Sequence, residues 1–127
     1  MVKIKRAYEP RGPRDGHRVL VDRLWPRGIK KTKLVLDDWM KEIAPSPELR
    51  KSFGHDPANW EEFRKRYELE LRRPDAREKV TELARLARRG TLTLVYGARD
   101  PDHNNAVVLR DVIERERARG RPARKAA

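Results

Sequence analysis

The spacing of apolar and polar residues changes several times along this chain, and each change marks an element. Val2, Ile4 and Arg6 alternate with Lys3, Lys5 and Ala7. That period of two predicts a strand over residues 2–8, and its weakly apolar second face suits a position near a sheet edge. Residues 9–16 carry two prolines and two glycines and read as a loop. A second strand follows over 18–23, built on the run Val19 to Val21, the signature of a strand covered on both faces. Leu36, Trp39, Met40 and Ile43 then fall at i, i+3, i+4 and i+7, which predicts an amphipathic helix.

Pro45 and Pro47 end that stretch, and Ser46 is placed to cap a short helix reaching about Ser52. Asn59 opens another helix, with Trp60, Phe63, Tyr67 and Leu71 as its buried stripe. Asp75 is a plausible cap for the next, which buries Val80, Leu83, Ala84 and Ala87 and stops at Gly90. Thr91 to Tyr96 reads as a third strand, and residues 97–104 as a polar loop. The last helix starts at Asn104 or Asn105 and presents Leu109, Val112 and Ile113.

Strand, strand, several helices, strand, helix is the order of an α/β protein. It predicts a small, mostly parallel sheet of three to four strands flanked by about five helices. Residues 1–117 form one such domain. Residues 118–127, which hold no apolar side chain larger than alanine, form a basic tail expected to lack fixed structure.

Charge refines this picture. The chain of 127 residues has a net charge of +12. Residues 1–36 carry +8, residues 115–127 carry +5, and the middle carries −1. Clustering at both ends suits a polyanion partner. Arginine outnumbers lysine 22 to 10 and glutamine is absent, however, so composition bias explains the same charge. Both readings stand at this point.

Several chemistries are excluded or unsupported. Without cysteine there is no disulfide, thiolate nucleophile or Cys-based zinc site, which suits a reducing cytoplasm. His17, His55 and His103 lack helix-face metal spacing, so no metal or cofactor is expected. There is no secretory h-region and no apolar run long enough to span a membrane. Phosphate-binding glycine loops, dinucleotide fingerprints and nucleophile elbows are likewise absent.

The candidate chemistry gathers in two segments. Asp22, Arg23, Trp25, Arg27 and Lys30 follow the second strand, where Pro26 and Gly28 force a turn. Tyr96, Arg99, Asp100, His103 and Asn104 follow the third. If these strands are parallel neighbours, both segments meet at their carboxyl ends, where open α/β folds bind ligands. Guanidiniums would take a phosphate or carboxylate, Trp25 and Tyr96 a flat ring, and the opening of the last helix an anion. Asp22, Asp100 and His103 are the candidates for acid–base catalysis, of which His103 suits a neutral imidazole. Each also has an ordinary structural role open to it: Trp25 as core, Asp100 as a turn residue, Asn104 as a cap. His55, between Gly54 and Asp56-Pro57, reads as a loop histidine.

These residues also carry a resemblance. Asp22-Arg-Leu-Trp-Pro-Arg-Gly28, Trp39 with Glu42 to Ser46, Arg66-Tyr67 with Glu70-Leu71, Leu94 to Gly97 and Asn104 to Leu109 are similar to the YeaO-like family of bacterial and archaeal proteins. The similarity spans about residues 3–116 and implies a small cytoplasmic α/β domain, without an activity to carry over. Where that family reads Asn-His-Ala before the last helix, this chain reads Asn104-Asn105-Ala106, with a histidine at His103.

Three functions remain in view. The first is binding of a small phosphorylated or nucleotide-like anion at the strand ends, with hydrolase or transferase chemistry as an extension. The second is sequence-nonspecific nucleic-acid binding through the basic N-terminal segment and tail, and the third a soluble domain without either.

Overall fold

The computed structural model describes residues 1–119. Four parallel strands form one sheet: β1 (Val2–Arg6), β2 (His17–Leu20), β3 (Asp38–Trp39) and β4 (Leu92–Tyr96), in the order β1-β4-β2-β3. β4 is central and buried at every position, as its unbroken run of apolar and threonine residues requires. Leu92 is flanked by Val2 on one side and His17 on the other, and Leu94 by Ile4 and Val19. β1 lies at the edge, in keeping with its mixed composition.

The described residues form four α-helices: α1 (Pro47–Phe53), α2 (Trp60–Glu70), α3 (Pro74–Arg89) and α4 (Asn105–Arg119). Single 3-10 turns at Lys41–Ile43 and Pro57–Asn59 make up the remainder, slightly fewer helices than the sequence suggests. Ser46 caps α1, its hydroxyl accepting from the Leu49 N–H at 3.2 Å. Asn59 does not cap α2. Its amide turns back to the carbonyls of Ser52 and Phe53, tying α2 to the end of α1. α3 starts at Pro74, with Arg73 rather than Asp75 in the cap position. Gly90 ends α3 in extended backbone (φ 178°), not in the left-handed cap conformation. α4 runs to Arg119, and the rest of the expected basic tail lies outside the described residues.

One predicted helix is absent. Residues 36–43 form β3 and a 3-10 turn, because the backbone bonds across to β2 instead of along itself. The N–H of Asp37 donates to the Arg18 carbonyl (2.8 Å) and that of Met40 to the Leu20 carbonyl (3.0 Å). The apolar residues that imitate a helical stripe serve two faces. Leu36 and Trp39 pack on one side of the sheet, Met40 and Ile43 on the other. Alternation of neighbours 39 and 40 is strand behaviour, and tertiary pairing overrode the local period.

The main core lies on the helical side, where Val19, Val21, Leu92 and Leu94 meet α2, α3 and α4. The opposite side carries no helix among the described residues. The chain connecting β1 to β2 and that connecting β2 to β3 cover it, burying Ala7, Leu20, Leu34 and Val95 beneath Trp25, Ile29, Leu36 and Trp39. The two crossovers are held by a buried hub. Asp15 accepts from Arg18 Nη1 (2.5 Å), Lys5 Nζ (3.2 Å), Lys3 Nζ (3.4 Å) and the Gly12 N–H (3.0 Å). No helix among the described residues is long and apolar enough to cross a membrane.

Candidate functional site

β2 and β4 end side by side, so the segments that follow them do meet. Asp22 is the joint. Its carboxylate accepts the Gly97 N–H at 2.9 Å and the Asn105 side-chain amide at 3.0 Å. The same amide reaches the Val21 carbonyl at 3.0 Å, so Asn105 ties the end of β2 to the first turn of α4. A Cβ at residue 97 would lie 3.2 Å from the Asp22 carboxylate, and the missing side chain allows that close approach. Burial pushes the Asp22 pKa up, opposed by the Asn105 and Gly97 donors and by the nearby Arg50 guanidinium.

The 97–104 loop is braced from within. Asp100 accepts the N–H groups of Asp102 (2.9 Å) and His103 (3.2 Å), and its second oxygen lies 2.9 Å from His103 Nδ1. These donors hold the Asp100 pKa below the usual carboxylate range. Asn104, almost fully buried, caps α4: its carbonyl oxygen accepts from Val107 N–H (3.1 Å) and its amide donates to the Asp100 carbonyl (2.8 Å). The His103 ring stands edge-on to Trp60 at 5.2 Å, which fixes it between α2 and the loop.

Facing this rim is the end of α1. Leu49 and Phe53 are its buried residues, so Arg50 and Lys51 are left exposed at the top of the sheet. Gly54 ends α1 in the left-handed region (φ 58°) and His55 follows in the same region (φ 57°). Left-handed backbone at histidine is uncommon and costs energy, so the turn that presents His55 is over-determined by its surroundings. Between the two walls lies a cleft of about 500 Å³. Phe53, Phe63, Pro45 and Pro47 give it an apolar lining, and Asp22, Asn104 and Asn105 form its polar end. Arg50, Lys51, His55 and His103 bring cationic or imidazole groups to it.

Of the residues singled out in the sequence, Asp22, His103 and Asn104 line this cleft, and Asp100 stands behind His103. The others lie elsewhere. Arg23 turns toward the carbonyls of Ala44 and Pro45, beside a separate groove with Ser46 and Glu70. Trp25 packs edge-on against Trp39 at 5.3 Å on the helix-free side. Arg27 and Lys30 are exposed on the crossover loop, and Arg99 is exposed beyond β4. Tyr96 is buried in the helical-side core, and that burial raises its pKa. Sequence reasoning passed over Arg50, Lys51 and Asn105 and read His55 as loop. Its one available signal was the polar pair left over once Leu49 and Phe53 are assigned to the core, followed by a cap glycine.

Among the described residues no group of three or more His, Asp or Glu side chains is placed to hold a metal ion.

A small parallel α/β domain with a strand-end cleft is thus the class of protein in hand. The chain belongs to the family described as the inactive DUF488-N3 subclade, whose model matches residues 1–127. It is 48% identical over 110 residues to the uncharacterized protein YeaO of Escherichia coli, covering 87% of this chain and 94% of that one. It is also 40% identical over 112 residues to the uncharacterized proteins Rv3073c of Mycobacterium tuberculosis and Mb3100c of Mycobacterium bovis, covering 88% of this chain and 92% of each. No solved structure matches the chain significantly.

Proposed function

We propose that the cleft binds a small phosphorylated or nucleotide-like anion and does so without turning it over. The observation that carries this reading is the division of the cleft lining. Exposed Arg50 and Lys51 offer donors to a phosphate or carboxylate, while Phe53, Phe63 and the prolines accept a flat, partly apolar body. At the far end, the Asp22 carboxylate, which keeps lone pairs beyond those that take the Gly97 N–H and the Asn105 amide, would accept ring N–H groups. Asp22, Asp100 and His103 then act as acceptors and orienting groups rather than as acid–base catalysts. The word inactive in the family description agrees with binding alone.

A thermal-shift panel of nucleoside monophosphates, nucleoside diphosphates and sugar phosphates, followed by calorimetry, tests the proposal. At least one class should raise the melting temperature. Arg50→Ala should weaken its affinity about 10- to 100-fold, the worth of one charge-assisted hydrogen bond, while leaving the ligand-free melting temperature unchanged. No response across the panel, or full affinity in Arg50→Ala, overturns it.

A further inference from the structure

The side of the sheet away from the cleft carries a second feature that small-ligand binding does not use. Contacts link alternate rings and cations across it. At the strand-end rim the Arg6 guanidinium, held by the Gly97 and Ala98 carbonyls, lies 4.8 Å over the Tyr8 ring, and the Tyr8 hydroxyl donates to the Arg27 carbonyl at 2.8 Å. Arg27 is two residues from Trp25, whose ring meets Trp39 edge-on. Lys31 Nζ sits 5.7 Å from the Trp25 ring and 5.8 Å from the Trp39 ring, and Lys41 Nζ lies 4.2 Å over Trp39.

Both indoles are anchored by their own N–H groups. Trp25 donates to the Ile29 carbonyl (2.6 Å) and Trp39 to the Asp22 carbonyl (2.7 Å). The rings are therefore fixed and half-buried, not free to project. Arg27, Lys31 and Lys41 are exposed and have no ion-pair partner among the described residues. Lys3, Lys5 and Arg18, by contrast, are spent on Asp15; of the exposed cations of the N-terminal segment, Arg11 and Arg14 lie in the connection from β1 to β2, and Arg27, Lys30, Lys31 and Lys33 in the stretch that follows Trp25. Asp37, Asp38 and Glu42 are the exposed acids of this stretch, and against exposed Arg27, Lys30, Lys31, Lys33 and Lys41 they leave it net positive.

From this we infer that the helix-free face is a docking surface for single-stranded nucleic acid, with the backbone phosphates on Arg27, Lys31 and Lys41 and bases against the indoles. Alternating cations and flat rings are the two elements that sequence-tolerant single-strand binding needs, since every base has a stacking face and every nucleotide a phosphate. Duplex recognition fits poorly, because the face is made of crossover chain and sheet and offers no helix to a major groove. A membrane fits less well too, because half-buried rings anchored among exposed cations form no projecting apolar wedge.

The test uses the full chain and fluorescence anisotropy with a labelled, mixed-sequence RNA or DNA strand of about 20 nucleotides, titrated at several salt concentrations. The wild type should bind either strand at about 50 mM salt and quench tryptophan fluorescence as it does so. Lys31→Glu/Lys41→Glu should lose at least about tenfold in affinity and reduce the salt slope by about 1 to 2. Arg50→Ala, at the cleft, should bind as the wild type does, which separates this proposal from the small-ligand reading. Circular dichroism of the double variant checks that it is folded, and Lys31→Gln/Lys41→Gln, with an intermediate loss expected, serves if it is not. Absence of binding, wild-type affinity in the lysine variants, tighter binding to the matching duplex, or binding only to phosphatidylserine vesicles would each overturn the inference.

Discussion

Asp15→Asn is the substitution whose cost follows most directly from the geometry. The Asp15 carboxylate is buried, and the guanidinium it meets at 2.5 Å belongs to Arg18, a residue only 2% exposed. Asparagine keeps an acceptor for the Gly12 N–H but strips the counter-charge from Arg18 and from the partly buried Lys5. Removing one partner of a buried pair costs about 3–5 kcal/mol, mostly the penalty of the charge left behind. The retained Gly12 bond and the Arg18 Nε bond to the Val35 carbonyl (2.7 Å) put the expected loss at the lower end, about 3 kcal/mol. For a domain of this size that corresponds to a fall of about 10–15 °C in melting temperature.

Burial of Asp15 works to raise its pKa, but the Gly12, Lys5 and Arg18 donors outweigh it and hold the folded-state pKa well below the ordinary value of 3.8. A depressed carboxylate pKa stabilises the fold fully above the unfolded value, and that contribution is lost as pH falls toward the folded one. Urea denaturation of wild type and variant, followed by circular dichroism, should therefore give a constant difference from neutral pH down to about pH 5. The difference should shrink only on further acidification through the carboxylate range. Asp15→Asn/Arg18→Met should recover most of the loss. A loss below about 1 kcal/mol for the single variant, the scale of an exposed pair, would refute the buried hub.

Three further outcomes follow from single contacts. In Gly16→Ala a Cβ would lie 2.2 Å from the Thr91 carbonyl oxygen at a φ of +64°, so chemical denaturation should register a loss above about 3 kcal/mol. Tyr67→Phe leaves the Ile43 carbonyl without its buried hydroxyl donor, and the same assay should read a loss of about 1–3 kcal/mol. Ser46→Ala removes both the cap of α1 and the 2.6 Å bond to Glu70, for a loss of about 1–2 kcal/mol in thermal melts.

What was legible in the sequence is what local chemistry decides. β4 and the Val19–Val21 run announce themselves by composition, Ser46 and Asn104 by cap chemistry, and the α2 stripe by its period. The meeting of the two strand ends was legible too, since parallel neighbours bring Asp22 to Gly97. The membership of the cleft was not. Arg23, Trp25, Arg27 and Lys30 adjoin Asp22 in sequence, yet Trp25 packs on the helix-free side, Arg27 and Lys30 are exposed on the crossover loop that turns at Pro26 and Gly28, and Arg23 faces another groove. Their places are taken by Arg50 and Lys51 on α1 and by His55 in the turn that follows it, brought there by packing of Leu49 and Phe53. Residues 36–43 show the reverse failure. A helical period there is an accident of residues that serve opposite faces of an edge strand.

The central claim, that the strand-end cleft receives a small anionic ligand, is tested most directly by titrating the isotope-labelled protein with a nucleoside monophosphate and following backbone amides by NMR. Saturable shifts confined to the turn at Gly54 and His55, to Gly97 and Ala98, and to the opening of α4 at Asn104 and Asn105 are expected, with Lys31 and Trp39 unmoved. Saturable shifts centred on the tryptophan face or on the Arg23 groove, with the cleft amides still, would contradict it.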